Sequence, residues 1–201
     1  RARDPRPSPD GRALLFVMNK MGMTRLAVLD LAKGGNGPAT EKDITPLTPW
    51  GAEQYETPCF SPDGSRIAVG LWQPGGYRDI RLLDPTGNVL EDITHDRAID
   101  VGPSWSPDGN YLYFSSDRSG IFNIYAYAPA TKKLFQVTNV LGGAFSPSLS
   151  PDGKTLAFAS YSSRGYDIHK MTNDPAAWKP AEPYVDTYPL VQYAETTVES
   201  S

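Results

Sequence analysis

The 201-residue chain has one cysteine and two histidines, and each scarcity excludes a class of site. Cys59 alone cannot make an internal disulfide, and on an inner strand it is expected to be buried rather than reactive. His95 and His169 fall in unlike places, on a loop and on a strand, so no histidine-rich metal site is expected. No apolar run approaches the ~18 residues of a membrane-spanning helix. No run of five basic residues occurs, and the formal net charge is -4, which disfavours nucleic acid as a partner. A sustained helical period is absent too, so the chain reads as nearly all β. The G-x-S-x-G nucleophile elbow is also missing, and with it the signature of a hydrolase centre. In place of these stand 18 glycines and 19 prolines, and they are not scattered at random.

The string P-x-x-S-P-D-G occurs four times, at Pro5–Gly11, Pro58–Gly64, Pro103–Gly109 and Pro147–Gly153. Its serines Ser8, Ser61, Ser106 and Ser150 lie 53, 45 and 44 residues apart. After each copy come an apolar run (Leu14–Val17, Ile67–Val69, Leu112–Phe114, Leu156–Phe158), a polar loop with glycine, and a second apolar run. That second run opens at Leu26, Ile80, Ile124 or Ile168, 16 or 17 residues past the motif aspartate. Three copies close on a short strand ending Ile44-Thr45, Ile93-Thr94 or Val137-Thr138. With the strand that carries the motif, each unit of about 45 residues holds four strands, the signature of a propeller blade. Blades begin near residues 3, 56, 101 and 145, so 1–171 is expected to form one propeller domain. No single blade could bury enough surface to fold alone.

Within S-P-D-G, proline presets φ, aspartate can accept backbone amides two residues on, and glycine takes a positive φ. Asp10, Asp63, Asp108 and Asp152 are therefore expected to build turns. Trp105, Phe60 and Leu149 stand at equivalent positions, so Trp105 reads as packing. The motif, the D/N-I strand and the closing I/V-T together resemble the TolB-type propeller repeat over about residues 3–171. Similar repeats occur in the propellers of prolyl oligopeptidase and dipeptidyl peptidase relatives and of tricorn-like proteases. The resemblance implies an all-β architecture of four-stranded antiparallel blades and a place outside the bacterial cytoplasm, periplasmic or otherwise extracytoplasmic. TolB-type rings generally hold six or more blades, and this chain opens inside a blade, so an arc of a larger propeller is expected, with other domains in a longer parent chain.

The S-P-D-G turns occupy one rim, and the opposite rim carries the longer, variable loops where binding residues are expected. Those loops offer Trp50, Glu53, Tyr55, Trp72, His95, Asp96, Arg97, Asp100, Arg118 and Arg164, a mixture of aromatic groups and charges of both signs suited to a protein or peptide. No catalytic residue, metal or cofactor is expected. Glu53 with Glu56, or Asp96 with Asp100, would be the carboxylate pairs for glycoside chemistry, but such pairs normally come from separated segments. "GGNG", Gly34–Gly37, joins two strands and precedes no helix, so it is a hairpin loop rather than a phosphate cradle. Residues 172–201 form a Pro-rich tail; Val185–Tyr193 has apolar surface for one strand, which could complete the last blade, latch onto the first or lead to another domain. Two function classes follow: a non-catalytic protein-binding module of the cell envelope, or an enzyme accessory, namely the substrate-gating propeller of a larger peptidase or a carbohydrate-active propeller.

Overall fold

The computed structural model describes residues 1–32 and 40–186, so Gly34–Gly37 and most of Val185–Tyr193 lie outside the described residues. Four antiparallel sheets follow one another along the chain. Blade 1 comprises β1 (Ala2–Pro7), β2 (Ala13–Lys20), β3 (Met23–Asp30) and β4 (Ile44–Pro46). Blade 2 comprises β5 (Gln54–Phe60), β6 (Ile67–Trp72), β7 (Arg78–Leu83) and β8 (Val89–Asp92). Blade 3 comprises β9 (Asp100–Trp105), β10 (Leu112–Ser116), β11 (Asn123–Ala128) and β12 (Lys133–Gln136). Blade 4 has three strands among the described residues, β13 (Ala144–Leu149), β14 (Thr155–Ser162) and β15 (Gly165–Thr172). The inner strands adjoin in order, β1 beside β5, β5 beside β9 and β9 beside β13, so the blades form an arc.

The core is a series of layers between blades rather than one centre. Leu15, Val17 and Leu26 of blade 1 meet Tyr55, Ile67, Val69 and Leu71 of blade 2. Ile80 and Leu82 of blade 2 meet Leu112, Phe114, Tyr125 and Tyr127 of blade 3. Tyr113, Ile124 and Ala126 of blade 3 meet Ala144, Leu156 and Phe158 of blade 4. The middle strands are therefore apolar on both faces, as β11 shows with every residue buried. Among the described residues the layering stops at blade 4. Leu26, Ile80 and Ile124 are 0% exposed, whereas the equivalent Ile168 is 80% exposed.

Each S-P-D-G is one hydrogen-bonded turn built four times. In the third, Ser106 Oγ donates to Asp108 Oδ1 at 2.6 Å and accepts the Tyr111 amide at 2.9 Å, while Asp108 Oδ1 accepts the Asn110 amide. Ser8, Ser61 and Ser150 repeat these bonds with Asp10, Asp63 and Asp152. The glycines sit at φ 69–72°, a conformation that a side chain resists. A second repeated device is a bulge in each inner strand, just before its first proline. Asp4, Thr57, Gly102 and Ser146 there take φ 54°, 45°, 67° and 54°. Thr57, β-branched, is the most strained of the four.

A third device corrects the reading of blade 1. Thr94 and Thr138 accept the amides of Ile80 and Ile124 on their side-chain oxygens. In blade 1 the residue that does this for Leu26 is Thr48, not Thr45. Thr45 lies three residues earlier, opposite Val28, so Leu47-Thr48 is the true counterpart of Ile93-Thr94. The tail also takes its own path. From β15 it crosses back to blade 3, where β16 (Lys179–Pro180) pairs with β12. Trp178 packs edge-on against Tyr111 and Tyr113, and the Ala181 amide donates to Leu134.

Candidate functional site

The β2–β3, β6–β7, β10–β11 and β14–β15 hairpins, with the linkers between blades, make the rim opposite the S-P-D-G turns. The structure gathers part of the candidate set at the junction of blades 2 and 3. Arg118, on the β10–β11 hairpin, pairs with Asp100 at 3.1 Å and with Asp96 at 3.5 Å, and lies over the Tyr125 ring. Asp100 opens β9 and is fully buried; burial pushes its carboxyl above the ordinary range, and Arg118 opposes that rise. His95 stacks on Tyr77 with its Nδ1 3.8 Å from Asp79 Oδ2. Arg97 reaches out to Asp186 of the tail at 3.0 Å. Asp117, from the same hairpin as Arg118, accepts the Ile99 amide.

Other candidates sit apart. Glu53 is tied to Arg81 at 3.1 Å and accepts the Tyr55 hydroxyl at 2.8 Å. Tyr55 is in the layer between blades 1 and 2 rather than at the surface; burial and Glu53 push its hydroxyl up to about 12. Arg25 lies over Trp50, 4.4 Å from the ring centroid. Trp72 ends β6 and is 49% exposed, with Arg78 over its ring and Arg78 in turn paired with Glu56. Arg164 is exposed on the blade 4 hairpin, away from the blade 2–3 junction. His169 is on β15 beside Phe158. Cys59 is half-buried, its Sγ 3.3 Å from the Pro103 carbonyl, and desolvation pushes the thiol up to about 12. Such a thiol is a poor nucleophile.

Sequence reasoning passed over the residue with the most unusual surroundings. Asp79 is the aspartate of the D/N-I strand, and the four blades place Arg25, Asp79, Asn123 and Asp167 at this position, just before Leu26, Ile80, Ile124 and Ile168. Its side chain is 1% exposed, Oδ2 has no hydrogen-bond donor, and burial raises its carboxyl to about 6. The signal was in the repeat itself, as a polar residue set just before the first aliphatic residue of the third strand in every blade.

The described concavities lie elsewhere. One of about 470 Å³ opens between the blade 2 and blade 3 turns, beside Asp63 and Asp108. Another, of about 570 Å³, follows the inner strands of all four blades from Arg6 past Thr57 and Gly102 to Ser148. The loop rim is by contrast a relief of paired charges. Among the described residues no group of three His, Cys, Asp or Glu side chains could hold a metal ion, and no helix is long and apolar enough to cross a membrane.

Repeated four-stranded blades around a common inner wall define an open segment of a β-propeller. The chain belongs to the family of the TolB beta propeller domain, whose model matches residues 51–180. A TolB homolog of Chlorobium chlorochromatii is 31% identical over 117 residues, covering 58% of this chain and 24% of the relative. The uncharacterized peptidase YuxL of Bacillus subtilis is 27% identical over 152 residues, covering 58% of this chain and 22% of the relative. The chain thus spans about a quarter of the curated relatives it matches. Among solved structures, TolB from Acinetobacter baumannii superposes with a TM-score of 0.74 at 23% identity, covering 92% of this chain and 45% of that one. A puromycin-hydrolyzing peptidase of Mycobacterium tuberculosis gives 0.67 at 20% identity, covering 91% and 31%. At these identities the structures speak for the fold alone.

Proposed function

We propose that this chain is a non-catalytic, extracytoplasmic propeller segment that binds a protein or peptide partner across its loop rim. The supporting observation is the division of labour between the rims. On one, four copies of a single turn use their polar groups on themselves; on the other, no two blades are alike, and exposed Trp72, His95 and Arg97 stand beside a partly buried charge network. A half-exposed tryptophan beside paired charges is the composition of an interface anchor. Exposed aromatic and paired charged groups spread along this rim suit a macromolecular surface. The TolB relatives support the extracytoplasmic, non-enzymatic reading.

The second reading is the substrate-gating propeller of a larger peptidase, which the similarity to YuxL favours. Selection of peptides from a random library against the folded chain tests the first reading. Binders should be lost on Trp72→Ala, with thermal stability nearly unchanged, and be indifferent to Ser106→Ala as long as the protein is folded. Binders that ignore Trp72 and compete at the turns around Asp63 and Asp108 would overturn it.

A further inference from the structure

The chain contains its own control for Asp79. At the equivalent place in blade 3, Asn123 satisfies both ends of its side chain. Its Oδ1 accepts the Thr138 hydroxyl and the Val140 amide, each at 3.0 Å. Its Nδ2 donates to Ser119 Oγ and to the Ile121 carbonyl. In blade 2, Asp79 Oδ1 accepts the Asp96 amide, the counterpart of Val140. Where Asn123 has its NH2 group, Asp79 has a second oxygen with no donor. The counterpart of Ser119 is Gly75, which brings no hydroxyl.

Around this oxygen negative charge is in excess. Asp96 and Asp100 already share the single guanidinium of Arg118, and Asp100 acts on Asp79 as a like charge. Thr94 is the neutral neighbour, and its hydroxyl, donating toward the carboxyl, opposes the rise that burial causes. What covers Asp79 is His95, itself 67% exposed and held by a stack on Tyr77. Tyr77 follows Gly75 and Gly76, both at positive φ, 96° and 86°. A buried carboxylate oxygen without a donor is costly, and a cation is the group that repays it.

We propose that the blade 2–3 junction of the loop rim is a subsite for one organic cation, the ammonium or guanidinium of a peptide partner, seated on Asp79 when His95 and Tyr77 swing aside. This deepens the peptide-binding reading and rests on it. Asp96 and Asp100 supply the surrounding negative field, and Arg118 holds those two carboxylates in place. Trp72, at the end of the neighbouring strand, marks where the rest of the peptide would run.

The test uses the whole chain, with N-acetyl-lysine amide and its uncharged analogue N-acetyl-norleucine amide as probes, read by NMR at the Asp96 amide that rests on Asp79. The lysine probe should shift this resonance saturably and the norleucine probe should not. Asp79→Asn, which restores the Asn123 pattern and keeps the fold, should weaken lysine binding by about tenfold or more, the loss of one charge-assisted hydrogen bond. Binding by the wild type should weaken below about pH 6 as Asp79 takes up a proton. His95→Gln, which keeps a cover but removes the imidazole, should retain the lysine preference. Equal response to both probes, an Asp79→Asn affinity equal to wild type, or loss of the preference in His95→Gln would each overturn the subsite. Library-selected peptides that depend on Trp72 but not on Asp79 would overturn it and leave the rim reading standing. Absence of any Trp72-dependent binder would overturn the rim reading as well.

Discussion

The polar residues of this chain divide into those whose partners are given by the repeat and those whose partners are not. Ser106 is of the first kind: buried, it gives one hydrogen bond to Asp108 within the motif and receives another from the Tyr111 amide two residues past it. Ser106→Ala should cost about 1–2 kcal/mol in urea unfolding, since it leaves the Tyr111 amide without its acceptor. Asp108→Ala should lower stability too, without touching binding. Asp63 makes the same turn, and its bonds from Ser61 and Ser65 hold its carboxyl down to about 2. A carboxyl lowered by folding supports the native state above its ordinary value of 3.8 and loses that support as pH falls toward 2. Asp79 is of the second kind and has the opposite sign. Burial raises it, so the native state holds its proton more tightly than the unfolded chain does. Its effect on stability is most favourable below about pH 4, declines as pH rises to about 6 and is level beyond. Asp79→Asn should therefore be more stable than wild type at pH 7.5, and the difference should shrink toward pH 4. A difference that is constant with pH would contradict this assignment.

Among the elements, the strands follow from patterns that the sequence displays openly, because the apolar runs after each S-P-D-G have no alternative burial. Less open was the closing threonine of blade 1. Thr45 and Thr48 both follow an aliphatic residue, and only the register of β4 against β3 places Thr48 on the Leu26 amide. Thr94→Val and Thr138→Val, which orphan buried amides, should each cost about 1–3 kcal/mol, whereas Thr45→Val should be near neutral. The bulge before each first proline was not legible either, since Asp4, Thr57, Gly102 and Ser146 share no residue type and are united only by backbone conformation. Thr57→Gly should be stabilising by about 1 kcal/mol, because glycine takes a φ of 45° without strain and the unpartnered Thr57 hydroxyl is removed. Loss of stability would mean that Thr57 makes contacts which outweigh the strain. At the rim, the sequence named Arg118, Asp96 and Asp100 as charged loop residues but could not show that they interlock. It missed Asp79 because a D-I dipeptide at the start of a strand does not announce its burial.

For the whole molecule, the repeat makes each blade a measure of its neighbours. Ile80→Ala and Ile124→Ala remove side chains sealed between blades and should cost about 2–5 kcal/mol each, while Ile168→Ala should change stability little in this chain. A large loss at Ile168 would mean that its face is covered in solution. The arc thus has an architecture in which stability is distributed over layers and one rim is left to vary. The central claim is that the loop rim binds and the turn rim supports. It is tested most directly by hydrogen exchange on the chain with and without a library-selected peptide. The account predicts new protection in residues 72–79, 95–100 and 117–119, with the amides of the S-P-D-G turns unchanged. Protection concentrated at residues 61–66 and 106–111 instead would contradict it and move the binding surface to the other rim.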